Sequence, residues 1–362
     1  MEERVVEVAL GTRGYKIYIG WGNLSSLGGK LKSVVAPNKA AVITHPVIAD
    51  LYGERVVGSL REAGFETHLL NVPDGEEYKS LEVASNLYGK LAELEFHRFD
   101  CIVVLGGGVV GDLAGFVAAT YMRGVPFIQV PTTLLGQVDS GIGGKVAVDH
   151  PRAKNLIGCF YQPRLVLNDM STIKSLPEPE VKSGLAEVIK YGFLRGEEFL
   201  SFLEANLDSL LRLERNALIE TVVECCRMKA AIVEEDERDL GGRRAILNYG
   251  HTVGHALEAT TGYTSLLHGE GVAIGMVCAA RIAQRLGLID EALVERHIAL
   301  LSRAGLPTRL PISDIGSIQE RILLDKKSQG EASIFVLLKG LGKPALVEVP
   351  PQVIREALEE CS

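Results

Sequence analysis

The chain has 362 residues, of which 47% are hydrophobic and 23% are charged, and this composition predicts a folded globular protein with two ordinary domains or one large one. A formal net charge of -8 argues against a nucleic-acid partner or a membrane surface, because both require an excess of clustered positive charge. The six cysteines form no CxxC pair and no apolar stretch is long enough to span a bilayer, so we expect reduced thiols in a cytoplasmic protein.

The first half of the chain alternates between strand and helix patterns. Apolar runs predict strands at residues 5–10, 15–19, 40–44, 66–71, 100–105, 127–130 and 165–168. Helical patterns between them cover residues 47–63 and 79–93. Strands that alternate with helices of this length indicate a parallel sheet.

The second half is rich in Leu, Ala and Glu. It predicts long amphipathic helices at residues 180–193, 197–213, 216–236, 252–260 and 271–286, with weak strand signals at 334–338 and 345–349. Pro177 and Pro179 separate the last strand of the first half from the first of these helices. We therefore predict an α/β domain over residues 1–176 and a mostly helical domain over residues 177–362.

A glycine-rich turn follows the strand at 100–105. Gly106, Gly108 and Gly111 match the GxGxxG pattern, which lets the backbone approach a diphosphate at a helix N-terminus. The acidic residue that binds ribose about 20 residues later is missing, so a tight turn with close helix packing is the alternative. Two more polar loops, 73–80 and 131–149, follow predicted strands, and three loops at one sheet edge favour a dinucleotide.

The segment GHTVGHALEATT, residues 250–261, places His251, His255 and Glu258 on one helical face. Asn248 precedes the segment and His268 follows it. This combination suggests a metal site or a proton-transfer site. Spacing alone pairs His251 with His255, because histidines four residues apart readily share a metal.

Eight motifs occur in the order seen in the 3-dehydroquinate synthase family of sugar-phosphate cyclases, and the chain resembles that family from about residue 40 to residue 327. The motifs are PDGEEYKS, GGGVVGD, YMRG, PTTLLGQVDSGIGGKVAVD, KNLIGCFYQP, GLAEVIKYG, LNYGHTVGHALE and HGEGVAIGM. The resemblance implies a Rossmann-like NAD-binding domain over 1–176 and an α-helical domain over 177–362 that binds metal and substrate.

The resemblance also implies a reaction. A phosphate-eliminating lyase of the shikimate pathway would convert 3-deoxy-D-arabino-heptulosonate 7-phosphate to 3-dehydroquinate and phosphate, with NAD and one zinc or cobalt ion. The sugar's C5 is oxidised, phosphate is eliminated, C5 is reduced again, and an intramolecular aldol reaction closes the ring. Competing interpretations are another sugar-phosphate cyclase, a metal-dependent polyol dehydrogenase, or a non-catalytic binding protein that retains the fold.

The family's metal ligands correspond to Glu187, His251 and His268, and the two histidines also count among the substrate contacts. The resemblance assigns proton transfer to His255. Further catalytic or substrate-binding positions correspond to Lys145, Asn155, Lys190, Arg244, Asn248 and either Lys326 or Lys327. Arg123 corresponds to an arginine that reaches the phosphate of the neighbouring subunit, which implies a homodimer.

The family's NAD contacts correspond to residues in all three loops, with Asp74 or Glu76 in place of the missing ribose acid. They are Asp74, Glu76, Lys79, Gly107, Gly108, Val109, Asp112, Thr132, Thr133, Leu135, Asp139, Ser140, Lys145, Lys154, Thr172 and Ser175.

Several residues have plainer interpretations. Lys190 lies three positions after Glu187 and can form an intrahelical ion pair. We expect the leucines between 200 and 213 in a core or a dimer surface, and the remaining histidines, at positions 45, 68, 97, 150 and 297, as surface or packing residues. Asp239 stands where the family usually has Glu, in a turn with one extra residue, and is a candidate for an indirect contact in the site.

Overall fold

The computed structural model describes residues 3–36, 38–262, 266–311, 315–325 and 332–362. The chain divides into two compact units, Met1–Leu176 with Leu218–Arg238 and Pro177–Ala217 with Asp239–Ser362. The first division coincides with the predicted boundary at 176. Residues 218–238, however, were predicted in the second domain and group with the first. An amphipathic pattern predicts a helix and its apolar face, but not which core receives that face.

Strands of the first unit form one seven-stranded sheet and one hairpin within the described residues. They are β1 (Arg4–Val8), β2 (Tyr15–Gly20), β3 (Lys39–Thr44), β4 (Glu66–Asn71), β5 (Cys101–Gly106), β6 (Phe127–Pro131), β7 (Lys145–His150), β8 (Ala153–Phe160) and β9 (Leu165–Asp169). The sheet has the order β1-β2-β9-β6-β5-β3-β4. All neighbouring pairs are parallel except β1 with β2, so the predicted parallel sheet is confirmed.

Helices cover both faces of this sheet and build most of the second unit. They are α1 (Leu27–Lys32), α2 (Pro46–Ile48), α3 (Glu54–Glu62), α4 (Leu81–Glu93), α5 (Gly108–Thr120), α6 (Glu178–Arg195), α7 (Glu197–Leu211), α8 (Arg215–Glu235), α9 (His251–Thr260), α10 (His268–Arg285), α11 (Glu291–Arg303), α12 (Ile315–Asp325) and α13 (Pro351–Glu360). No helix in the described part of the chain is both long and apolar enough to cross a membrane.

The central strand β5 is buried along its whole length. Its residues alternate between two hydrophobic clusters, with Ile102 and Val104 in one and Val103 and Leu105 in the other. Side chains on a strand point to opposite faces with a period of two, so each face of β5 contributes to a different core. A parallel sheet covered on both faces explains why this strand is a continuous apolar run.

One part of the third polar loop is a hairpin, so the expectation of a loop throughout 131–149 is wrong. β7 and β8 pair antiparallel. Val146 and Val148 are buried, and a Cβ added to Gly115 of α5 would lie 2.4 Å from Val146 Cγ1. Packing against α5, at a position where only glycine leaves room, stabilises a hairpin that would be marginal alone.

Among its described residues, the second unit has two strands besides its helices, and both were predicted. β10 (Ser333–Leu338) and β11 (Pro344–Val349) pair antiparallel. Helices α9 and α10 lie close together. A Cβ added to Gly275 would lie only 1.9 Å from the carbonyl oxygen of Gly250. The leucines of α7, including Leu203 and Leu207, are buried in the core.

Candidate active site

Three helices of the second unit bring together Glu187, His251 and His268, here called the His–Glu cluster. Glu187 lies within α6 and is fully buried, while His251 and His268 are the first residues of α9 and α10. One possible ligand atom from each residue lies within 4.8 Å of those of the other two. Two imidazoles and one carboxylate are a ligand set typical of catalytic zinc.

The distances in the His–Glu cluster fit a single ion. Glu187 Oε1 lies 3.4 Å from His251 Nε2 and 3.6 Å from His268 Nε2. Ligand atoms about 2.1 Å from a tetrahedral metal are roughly 3.4 Å apart. Both distances from Glu187 Oε1 therefore suit two ligands of one ion, and all three candidate atoms lie within 4.8 Å of one another.

The two histidines differ in protonation. Burial, with the nearby Lys190 ammonium, lowers the pKa of His251 to about 3, so this ring is neutral at pH 7. Burial also lowers the pKa of His268, but hydrogen bonds to Glu187 and Glu258 outweigh it and raise the pKa to about 10. A metal must therefore displace a proton from His268 before it can bind there.

Lys190 forms the ion pair with Glu187 that the intrahelical interpretation predicts. Both side chains are buried, and the Lys190 ammonium also lies 5.2 Å from the ring centroid of Tyr191. A buried lysine within three residues of a possible metal ligand places positive charge beside the cluster. The ion pair does not exclude the role in substrate binding that the family resemblance implies.

His255 lies on α9 one turn after His251, with its ring centroid 5.3 Å from that of His251. It is exposed, whereas His251 is buried. No group of possible metal ligands among the described residues contains both histidines, so the simple pairing by spacing is wrong. A second group of possible ligands contains His255, Glu258 and His268.

The glycine turn and the third loop converge at the N-terminus of α5. Added Cβ atoms would lie 3.1 Å from Thr133 Cγ2 at Gly107 and 3.2 Å from Ser140 Oγ at Gly108. Close backbone approach is therefore a requirement at both glycines. Thr132 Oγ1 is buried and makes no hydrogen bond within the described part of the molecule, and such an atom needs a partner. These features fit a bound dinucleotide.

Lys79, from the first loop, is buried among three carboxylates, here called the lysine network. Its ammonium lies 2.8 Å from Glu76, 3.4 Å from Asp112 and 3.5 Å from Asp149. Lys79 comes just before α4, whose N-cap is Ser80, so the helix predicted from residue 79 begins two residues later. The network joins predicted cofactor residues from two of the three loops.

Charge in the lysine network is shared unequally. Burial raises the pKa of Asp112 to about 7, although Lys79 opposes the shift. Burial also raises the pKa of Glu76, but the attraction of Lys79 outweighs it and the net shift is downward. Burial lowers the pKa of Lys79, but Asp112 and Glu76 outweigh it, so the ammonium stays charged.

Asn155, a predicted substrate-binding residue, is hydrogen-bonded to two members of the lysine network. Lys79 Nζ donates a hydrogen bond of 2.8 Å to Asn155 Oδ1, and Asn155 N donates one of 2.7 Å to Asp149 Oδ1. Asn155 has φ of 54°, in the left-handed region that Asn tolerates better than most residues. Lys154 lies 3.6 Å from Glu76.

Two residues of the first unit that the sequence did not single out contact predicted cofactor positions. Lys229 of α8 donates a 2.7 Å hydrogen bond to the carbonyl oxygen of Asp139, and it also pairs with the Asp139 carboxylate. Tyr52 and Ser175 are hydrogen-bonded through their hydroxyl oxygens, 2.7 Å apart. A charged residue on an otherwise apolar helical face was the available signal for Lys229.

Other predicted residues range from exposed to buried. Asp74 has a side chain that is 71% exposed and lies 4.0 Å from His45. Arg123 has φ of 66° in the turn after α5, and Lys145 is exposed at the start of β7. Thr172 is buried and donates to the carbonyl oxygen of Asp169. Val109 and Leu135 are positioned by α5 and by the third loop.

Two predicted substrate residues follow α8 in the second unit. Arg244 is buried and Asn248 is exposed, at either end of a short 3-10 helix. Asp239, at φ of 55°, is half-buried in the preceding turn. Lys326 and Lys327 lie outside the described residues.

The remaining histidines show no metal-binding group in the described part of the chain. His297 is fully buried, so packing and not surface exposure is the correct interpretation. Its ring stacks on Phe193 at 3.5 Å, its Nδ1 donates to the carbonyl oxygen of Leu293, and its Nε2 accepts from Tyr249. Burial lowers the pKa of His297 to about 4.

Comparisons with known proteins agree over nearly the whole chain. Family models match residues 69–183 as the N-terminal part of 3-dehydroquinate synthase and residues 184–328 as its C-terminal part. The 3-dehydroquinate synthase of Pelobacter propionicus is 49% identical over 345 residues, covering 95% of this chain and 96% of the relative. That of Pelotomaculum thermopropionicum is 50% identical and covers 93% of this chain and 91% of the relative.

A solved structure is similar over the same length. It is a 2-deoxy-scyllo-inosose synthase complexed with carbaglucose-6-phosphate, NAD+ and Co2+. It is 30% identical, with a TM-score of 0.89, and the match covers 99% of this chain and 100% of that one.

Proposed function

The chain belongs to the 3-dehydroquinate synthase family, and from this premise we propose that it converts 3-deoxy-D-arabino-heptulosonate 7-phosphate to 3-dehydroquinate and phosphate. The observation that carries the proposal is identity near 49% over 95% of the chain to a relative of that name. The His–Glu cluster and the glycine loops supply the metal and cofactor positions that such a lyase of the shikimate pathway requires.

We assign one divalent metal ion, zinc or cobalt, to Glu187, His251 and His268. Their ligand atoms are spaced for one ion, and Nε2 of His251 is neutral and available. When bound, the ion lowers the pKa of a substrate hydroxyl and stabilises negative charge on its oxygen. The Lys190 ammonium adds a second positive charge beside the Glu187 carboxylate.

We assign NAD to the three loops of the first unit. Gly107 and Gly108 admit a diphosphate to the N-terminus of α5, where unpaired backbone N–H groups favour an anion. The Thr132 hydroxyl is a free partner for the cofactor. Glu76, held charged by Lys79, is better placed to bind a ribose hydroxyl than the widely exposed Asp74.

The substrate carries a carboxylate and a phosphate, and we assign Lys145, Asn155, Lys190, Arg244 and Asn248 to its binding, as the family resemblance implies. Arginine suits a phosphate because its guanidinium can bond two oxygens at once. Arg123 would act on the substrate of a second copy, which makes the protein a homodimer, and one of Lys326 and Lys327 would complete the set.

His255 is assigned to proton transfer. It is exposed and close to two possible metal ligands without belonging to their group, with its ring centroid 6.1 Å from that of His268. An accessible imidazole beside the proposed metal position can accept or return a proton during the reaction. A cytoplasmic location remains a prediction from the sequence.

The alternative functions are less well supported. Another sugar-phosphate cyclase shares the fold but is 30% identical, against 49% for a relative with the proposed activity. A polyol dehydrogenase would accumulate NADH and would have little use for the buried cations Lys190 and Arg244.

The test mixes purified protein with NAD, Zn2+ or Co2+ and 3-deoxy-D-arabino-heptulosonate 7-phosphate, and follows phosphate and NADH together. We expect stoichiometric phosphate without lasting NADH, because the cofactor is reoxidised within each turnover. NADH that accumulates on a polyol without phosphate release would overturn the proposal. Turnover of a different sugar phosphate only would make the protein another cyclase.

A further inference from the structure

Both nitrogens of the His268 ring face carboxylates. Nδ1 lies 2.8 Å from Glu258 Oε1, and Nε2 lies 3.6 Å from Glu187 Oε1. Glu258 belongs to the same helix as His251, two turns further along, and is buried. A buried carboxylate at this position needs a reason, because burial without a charged or hydrogen-bonded partner is costly.

The distances distinguish two roles for Glu258. Two ligand atoms on one tetrahedral ion are roughly 3.4 Å apart, as the Glu187 distances are. The 2.8 Å between His268 Nδ1 and Glu258 Oε1 is instead a hydrogen-bond distance. A carboxylate only accepts, so Nδ1 must carry a hydrogen, and Nε2 is left to present its lone pair on the side of Glu187 once a metal displaces the second proton of the ring.

The corresponding acceptor for His251 is neutral. Its Nδ1 donates to the carbonyl oxygen of Tyr249 at 3.2 Å. Hydrogen bonds to ionised acceptors are shorter and about twice as strong as neutral ones. His268 therefore has the stronger anchor of the two, and it needs one, since it is the more exposed ring of the pair.

Close packing of α9 on α10 makes this contact possible. A Cβ added to Gly254 would lie 3.0 Å from the backbone of Gly271, and one added to Gly271 would lie 3.7 Å from Glu258 Cγ. The glycines thus hold the two helices at a separation that lets the Glu258 side chain span to the first residue of α10.

We propose that Glu258 is a positioning residue for the metal site. Its carboxylate holds the Nδ1 hydrogen of His268, fixes the ring, and presents Nε2 to the ion shared with Glu187 and His251. The inference rests on the metal site of the proposed function and adds a residue to it that does not touch the metal. Such carboxylate–histidine–metal arrangements usually contribute 10- to 100-fold in metal affinity.

The experiment titrates the metal-free full-length protein with Co2+, following its visible d–d absorption, and confirms each affinity by competition with a chelator. For Glu258→Gln we expect the dissociation constant of Co2+ to rise by about 10- to 100-fold. The matched control is Glu270→Gln on α10, because Glu270 accepts from Leu267 N, a bond that glutamine can keep. The control should stay within about twofold of the wild type.

Two further variants test the alternative explanations. Glu258→Asp keeps the charge but shortens the side chain by one methylene, so we expect an intermediate loss of Co2+ affinity. This variant replaces Glu258→Gln if the latter folds poorly. His255→Gln should leave the Co2+ affinity unchanged. Circular dichroism and the melting temperature confirm that each variant is folded.

Each outcome has a separate meaning. Wild-type affinity in both Glu258 variants would overturn the inference. So would loss of binding with a changed Co2+ spectrum in both Glu258→Gln and His255→Gln, because the ion would then use the second ligand group. If His251→Ala binds Co2+ as tightly as the wild type, the proposed metal site itself is wrong, whatever the result for the Glu258 variants.

Discussion

The lysine network of the first unit and the His–Glu cluster of the second each centre on a buried charged residue, Lys79 and Glu187, but they balance charge differently. The lysine network surrounds one ammonium with three carboxylates, so negative charge is in excess. One of these, Asp112, has a pKa near 7 and relieves the excess by binding a proton. The His–Glu cluster has one carboxylate, already paired with Lys190, and two imidazoles aimed at it.

The difference indicates what each site can accept. Imidazole lone pairs directed at one point are stabilised by a cation, so the His–Glu cluster is suited to a metal. The lysine network can satisfy its charges with its own residues and a proton. Its polar groups are then left to fix the loop backbone and to meet hydroxyl groups of a ligand.

The largest expected effect tests the metal role of the His–Glu cluster. His251→Ala removes one of three ligands and should lower kcat/KM by more than about 100-fold, with loss of bound metal. Phosphate release and metal analysis measure the two effects. His97→Ala, an exposed histidine of the first unit, is the control and should match the wild type. A His251→Ala variant that keeps a full equivalent of tightly bound metal would contradict the metal role of the His–Glu cluster.

A second prediction concerns the buried ion pair of the cluster. Lys190→Met removes the ammonium beside the buried Glu187 and should lower the free energy of unfolding by about 3–5 kcal/mol without metal. Zn2+ should restore part of the loss, because it replaces the missing positive charge. Urea denaturation with and without Zn2+ gives both values.

The control for that variant is on the same helix. Lys182→Met breaks an exposed ion pair with Glu178 and should change the free energy of unfolding by less than about 1 kcal/mol. Equal effects of the two substitutions would show that burial of the Glu187 pair does not matter.

A third prediction uses the raised pKa of Asp112. The carboxyl titrates near pH 7 when folded and near pH 4 when unfolded, so the unfolded state loses its proton first. The contribution of the protonated Asp112 carboxyl to the free energy of unfolding is therefore fully present below about pH 4 and is lost as the pH rises to 7. A pKa difference of about three between the two states corresponds to about 4 kcal/mol, so Asp112→Asn should be more stable than the wild type by on the order of 4 kcal/mol at pH 8.

Urea denaturation from pH 4 to pH 8 measures this difference. The stability advantage of Asp112→Asn over the wild type should be absent at pH 4, should grow as the pH rises to 7, and should level off by pH 8. An advantage that does not change with pH would mean that Asp112 does not carry the proton that balances the lysine network.

The smallest effect is expected at the edge of the lysine network. Lys154 lies 3.6 Å from Glu76 and is about one-third exposed, whereas Lys79 is buried. Without cofactor, Lys154→Met should change the free energy of unfolding by less than about 1 kcal/mol, and Lys79→Met should cost about 3 kcal/mol. Thermal or urea unfolding of the two variants tests whether the network depends on its central lysine.

The sequence by itself determined the parallel sheet and most of its strands, because an apolar run between turn residues defines a strand locally. It also predicted the glycine turn before α5, where a Cβ added to Gly107 or Gly108 would lie tightly against Thr133 or Ser140. The candidate metal ligands Glu187, His251 and His268 were named from family motifs, whereas spacing alone pairs His251 with His255, and these two share no group of possible ligands among the described residues.

Only the tertiary structure decided which elements meet. It grouped residues 218–238, which include most of α8, with the first unit, where Lys229 contacts Asp139, and it turned part of a predicted loop into the β7–β8 hairpin on α5. It also placed Glu258 against His268 and buried His297. Periodicity predicts neighbours within one helix or strand, but contacts between elements depend on how their surfaces pack, and no local pattern encodes that.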